Sequence, residues 1–146
     1  MFGHLVLSRS GEFVELMIGD ELVLPGIPDH KMTYVGAVGP FGEDVVNAPK
    51  GQVARFVHLS SLPSRDQIRV GDRGTMDWFE IQDIQARAHD VVQRRVLNKT
   101  FVSNCEHIHN YIRKGVPESP QLGAAVGIAV GAAIILGFLG GGGVGA

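Results

Sequence analysis

After Glu118 the chain carries no charged residue to its end, and this divides what the sequence can fold into. Leu122 to Leu139 contains only Leu, Ala, Val, Ile, Phe and Gly. As a helix it would span roughly 27 Å, just enough for a bilayer core. Gly123, Gly127 and Gly131 recur at four-residue spacing on one helical face, the pattern that lets two membrane helices approach and associate. A disordered Gly/Ala tail or a buried core helix would use the same letters. An apolar end of this length has little reason to stay in water, so a single-pass anchor is the expectation. A water-facing domain must then come from the residues before it.

The remainder of a 146-residue chain suffices for one packed core. With 13 Lys and Arg against 15 Asp and Glu, no basic footprint for nucleic acid is present. One cysteine cannot form an internal disulfide, and four-ligand zinc spacing is absent, so a reducing, cytosol-facing setting is expected, without metal or cofactor. Met1 to Arg9 has neither a basic n-region nor a long apolar stretch, so no signal peptide is expected.

Gly11 to Leu62 reads as strands divided by turns. Glu12 to Met17 alternates polar and apolar; His30 to Val38, Asp44 to Asn47 and Val53 to Leu59 follow, separated by Pro/Gly clusters. Ser60 to Thr75 is rich in Ser, Pro, Gly and charge and reads mostly as loop, with room for a short strand around Ile68 to Val70. Asp77 opens a helix with Glu80 at capping-box spacing. Its buried face carries Ile81, Ile84, Ala88, Val91 and Val92, its polar face includes Arg87, and it runs to about Leu97. A second helix starts at Ser103, with Ser103 and Glu106 as an S-x-x-E box, and stops at Gly115 ahead of Pro117. Strands first and helices last imply an α+β domain with an antiparallel sheet packed against helices. The expected divisions are a domain over 1–115, a linker over 116–121, an anchor over 122–140 and a Gly-rich tail over 141–146.

The second helix places Cys105, the only cysteine, in its first turn. Unpaired N–H groups and the positive dipole end favour a thiolate there, and any oxyanion formed beside it. Such a nucleophile needs a histidine. His107 should point away from the sulfur, and His109 would reach it awkwardly from the same helix. His89 reads as a boundary or surface residue, and His4 is terminal. His30 and His58 remain, both on strands. His30 has the better context: it starts a strand after a Pro-Asp turn, and Asn47 on the next strand can accept from one imidazole nitrogen while the other faces sulfur. His58 stays open as the alternative base.

His30-x-x-x-Tyr34-Val35-Gly36, Val45-Val46-Asn47-x-Pro49, Asn104-Cys105-Glu106-His107 and Arg113-x-Gly115 together resemble the lecithin:retinol acyltransferase-like group of NlpC-type thiol enzymes. That group includes small phospholipases A and N-acyltransferases ending in a hydrophobic anchor. Several picornavirus 2A proteins share the same histidine and Asn-Cys signatures. Lys31 follows His30 where the family commonly has Trp, and Asn47 stands where a second histidine is often found. The resemblance implies a permuted papain-like (NlpC-type) fold with a C-terminal transmembrane helix. It implies Cys105 as nucleophile and backbone oxyanion donor, His30 as general base and Asn47 as the residue orienting it. The implied substrate is a glycerophospholipid ester in the bilayer, with the acyl group passed to water or to an amine or alcohol acceptor. Two other classes remain open: a catalytically silent interaction protein at membranes, and a peptidase or amidase.

Overall fold

The computed structural model of the protein describes residues 5–26, 29–98 and 104–115. The expected linker, the anchor with Gly123, Gly127 and Gly131, the Gly-rich tail and Ser103 lie outside the described residues. Among those described, no helix is long and apolar enough to cross a membrane.

Seven strands form one sheet: β1 (Leu5–Ser8), β2 (Phe13–Glu15), β3 (Glu21–Leu24), β4 (His30–Gly36), β5 (Asp44–Asn47), β6 (Arg55–His58) and β7 (Arg69–Val70). Helices α1 (Trp78–Gln93) and α2 (Asn104–Lys114) follow. The spatial order is β2-β1-β7-β3-β4-β5-β6. The fold is thus α+β, as the strands-then-helices order implies, but the sheet is not wholly antiparallel. β1 and β7 run parallel, because the connection after β6 carries the chain back to the far side of β3.

Side-chain alternation on β4 divides the core in two. Val35, with Val46 of β5, faces the helices and packs with Ile84, Ala88 and Val91 of α1 and Ile108, Tyr111 and Ile112 of α2. Met32, with Leu22, Val45, Val6 and Val70, faces the other way and is closed by Leu59, Leu62 and Ile68. Two short 3-10 turns, Leu59–Ser61 and Arg65–Gln67, carry that cover within the expected loop.

Several local expectations change. β1 and β3 lack a clean alternation signal; β3 is buried on both faces, which removes the period-two signature of a half-exposed strand. α1 ends at Gln93, short of Leu97, because the chain turns at Arg94 and at Arg95 (φ 56°), sending Val96 back to pair with Ala54. Asp77 caps α1 as expected, its Oδ1 accepting from Phe79 N (2.9 Å) and Glu80 N (3.2 Å). Glu80 does not close the box: its carboxylate takes the Thr75 hydroxyl and Arg113 instead. Arg87 is not on a solvent face. It is half-buried and donates from Nε to the Ile112 carbonyl at 2.9 Å, satisfying an end of α2 that the helix leaves open. Gly115 is the expected C′ residue, at φ 88° with its N–H on the Tyr111 carbonyl at 2.7 Å.

Candidate active site

His30 is the first residue of β4 and therefore sits at the rim of the sheet. Asn47 is the last residue of β5, the antiparallel neighbour, so the register brings the two side chains to the same end. His30 Nε2 lies 2.6 Å from Asn47 Oδ1. An amide oxygen only accepts, so Nε2 carries the proton and Nδ1 is left for the other partner. That partner is Cys105: a hydrogen bond joins its side chain to His30. This bond is the largest influence on the imidazole and holds its pKa above the ordinary value, against the opposing pull of burial and with help from Asn47. The coupling is reciprocal, because the charged forms favour each other: a thiolate favours the imidazolium as much as the imidazolium favours the thiolate.

Cys105 is buried, as the second residue of α2. It lies in the turn whose N–H groups a helix leaves to outside acceptors. His30, Asn47 and Cys105, far apart in sequence, thus meet in one hydrogen-bonded row.

Polar rungs on the inner face of β4 seat α2 in register. Lys31 Nζ is 3.0 Å from Glu106 Oε1, and Thr33 Oγ1 is 2.7 Å from His109 Nδ1. Residues 31, 33 and 35 alternate toward the helix, and 106 and 109 are three apart on it, so the two periodicities match over one turn. Lys31 is therefore a tie to the residue following the cysteine. Glu106 makes this ion pair; Ser103, the other half of its expected box, lies outside the described residues.

Behind the rungs is Glu21, 2 % exposed in the middle of the sheet. Its carboxyl is raised, foremost by burial, and is countered by the Asp72 N–H at 3.3 Å and by Lys31 at 3.8 Å. Arg9 is 3.6 Å away. His109 Nε2 lies 4.0 Å from Glu21 Oε2, and burial pushes its imidazole down to about 4. His109 is thus neutral near physiological pH and structural in its contacts. Glu21, Asp72 and His109 bring ligand atoms within 4.8 Å of one another. The Lys31 ammonium already sits beside the same Glu21 oxygen, so a metal ion there would press against a fixed positive charge.

The other histidines are placed elsewhere. His58 Nδ1 accepts from Ser60 N at 3.0 Å and caps the 3-10 turn, with Phe41 edge-on to its ring. His89 is exposed, as expected. His107 is buried with no hydrogen-bond partner for Nδ1 among the described residues. Sequence reasoning did not find the Lys31, Thr33, Glu21 and His109 cluster. Buried polar residues on β3 and β4 are visible only once the strands are paired.

Comparison with models of known protein families, with curated proteins and with solved structures finds no match to this chain.

Proposed function

We propose that the protein is a thiol-dependent phospholipase A or acyltransferase, held at a membrane by its C-terminal apolar segment. The observation that carries this reading is the row Asn47–His30–Cys105 at the mouth of α2. The finer fold assignment, a permuted papain-like arrangement with the order His, Asn, Cys, belongs to the same proposal. It is supported by the cysteine helix packing across the histidine strand.

The chemistry follows from the row. His30 Nδ1 takes the proton from Cys105 Sγ, and the thiolate attacks the carbonyl carbon of a glycerophospholipid ester. Negative charge gathers on the carbonyl oxygen beside the first turn of α2, where the Cys105 N–H and the helix dipole oppose it. The tetrahedral species collapses, the C–O bond breaks, and the leaving lysophospholipid oxygen takes the proton from His30. An acyl thioester remains on Sγ. Water, or an amine or alcohol acceptor, then gives its proton to His30 and attacks the thioester carbonyl. The acyl product leaves and the thiolate–imidazolium pair returns. Asn47 keeps Nε2–H occupied, so the ring presents Nδ1 to sulfur throughout.

The silent-interaction alternative requires ring and sulfur to stand apart; their hydrogen bond favours the enzyme. The peptidase reading gives no reason for the apolar tail. The test is the intact mass of the full chain after incubation with phosphatidylcholine vesicles. An acyl increment on the wild type that is absent from Cys105→Ala and His30→Ala, and retained by His58→Ala, is the expected result. Fatty-acid release from Cys105→Ala equal to wild type would remove the thiol from the reaction.

A further inference from the structure

The start of α1 and the residue before its cap carry three exposed large apolar side chains: Met76 is 80 %, Phe79 76 % and Trp78 64 % exposed. They are close in sequence and no core residue covers them. Their platform is held on several sides. Asp77 caps the helix, Thr75 N donates to the Ile18 carbonyl at 2.9 Å, and Gly74 N donates to Asp20 Oδ1 at 2.7 Å. A Cβ at Gly74 would fall 2.0 Å from the Ile18 carbonyl oxygen, so that backbone is pressed onto its neighbour. The backbone that carries the exposed side chains is thus held in place by these contacts.

The described chain ends beside this patch. Arg113, in the last turn of α2, reaches Glu80 at 3.4 Å and donates to the carbonyls of Arg73 (3.3 Å) and Gly74 (3.4 Å). The Arg113 side chain thereby ties the last turn of α2 to the start of α1, while Gly115 itself faces the Arg87 guanidinium. Six residues, 116–121, separate that point from the uncharged apolar run, a reach of at most about 20 Å.

We propose that Met76, Trp78 and Phe79 are a lipid-contacting face, inserting into the interfacial region of a zwitterionic bilayer beside the entry of the C-terminal segment. The proposal rests on the reading of residues 122–140 as a bilayer span and adds a second contact that fixes how the domain lies on the surface. Tryptophan and phenylalanine suit the headgroup boundary, where one side of the ring is apolar and the other wet. The charge around the patch selects the lipid. Arg113 is paired with Glu80, and Arg73 with Asp20 at 2.9 Å, while Asp77 and Asp83 add negative charge. No excess of cations is left to demand an anionic surface, so contact is driven by apolar burial and depends little on salt.

Trp78 is the only tryptophan of the chain, so its emission reports this face alone. The experiment uses the full chain with phosphatidylcholine vesicles brominated at shallow or deep acyl positions, with flotation measured in parallel. A blue shift on adding vesicles, stronger quenching by shallow than by deep bromine, and loss of quenching by aqueous iodide are expected. Met76→Ser/Phe79→Ser, exposed on both counts, should still float and keep the alkylation profile of Cys105, while losing most of the shift and bromine quenching. The proposal is overturned if the chain floats while Trp78 stays open to iodide and untouched by bromine. It is equally overturned if Trp78 is shielded before vesicles are added, which would mean the chain itself or a second copy covers it, or if the double variant is quenched like wild type. A chain that does not float ends the anchor reading and this contact together.

Discussion

Removing the ammonium of Lys31 should move the titration of a thiol it does not touch. Lys31 pairs with Glu106 at 3.0 Å, and Glu106 follows Cys105 in the first turn of α2. In Lys31→Met the carboxylate stands without that cation. Neighbouring side chains on a helix place the two charges roughly 7 Å apart. The Glu106 side chain is 47 % exposed, which calls for strong screening. With an effective dielectric of about 40, the repulsion on a thiolate is about 1 kcal/mol. In the wild type the ammonium 3.0 Å from that carboxylate offsets most of this repulsion, so its removal raises the alkylation midpoint by somewhat under one pH unit. Glu106→Gln does the opposite: the repulsion goes while the ammonium remains, still 3.8 Å from Glu21, and the midpoint falls by a comparable amount.

The surrounding charges do not supply the sign. Glu21 on β3, Asp72 in the turn after β7 and Arg9 beyond β1 are present in both variants, and His109 is neutral at the relevant pH. Lys31→Met also takes a cation from Glu21, whose carboxyl would rise further. The double variant Lys31→Met/Glu106→Gln shares that effect and isolates Glu106; its midpoint should return to within a few tenths of a unit of wild type. The assay is the pH dependence of the iodoacetamide rate, clean because the chain has one thiol. Shifts should shrink as salt rises. Midpoints moving the same way in both single variants, or rates falling at a fixed midpoint, would show that the pair holds geometry alone.

Two further outcomes follow from the site. Asn47→Ala removes the 2.6 Å contact that orients His30, so thioester formation should slow by roughly tenfold to a hundredfold and the imidazole NMR midpoint should fall toward its ordinary value; an unchanged midpoint would mean that the ring is held by something else. Acid should weaken the fold through His109, whose folded pKa of about 4 lies below the unfolded 6.5. Between those values the unfolded chain binds more protons, so stability falls with pH across that window, by about 3 kcal/mol when complete. Glu21, with a raised carboxyl, opposes this slope, and His109→Asn should leave only the Glu21 trend in denaturant melts from pH 7 to 4; equal slopes in both proteins would refute the assignment.

Much of the frame was legible because it is local. β5 spans the run expected over 44–47, the Asp77 cap and Gly115 stop fall where expected, and the buried Ile and Val of both helices follow helical spacing. His30 and Asn47 could be paired on paper because two neighbouring strands joined by a short connection are antiparallel by default. β3 was not legible, since a short strand buried on both sides has no alternation to read, and β1 is only four residues long. Arg87 was misplaced for a related reason: periodicity gives a helix its faces but does not say that a second helix will end against one of them.

The residue types therefore determined by themselves an α+β domain, a thiol in the first turn of a helix, two strand histidines able to serve it, and an uncharged apolar end. Tertiary structure set the two histidines apart in their contacts. Strand pairing carries the His30 ring to sulfur and leaves His58 capping a turn. It also turned Lys31, a mismatch when read along the chain, into a tie to Glu106, 75 residues away. Backbone propensity acts over a few neighbours, whereas a charge pair across that interval exists only after the sheet and helix have packed.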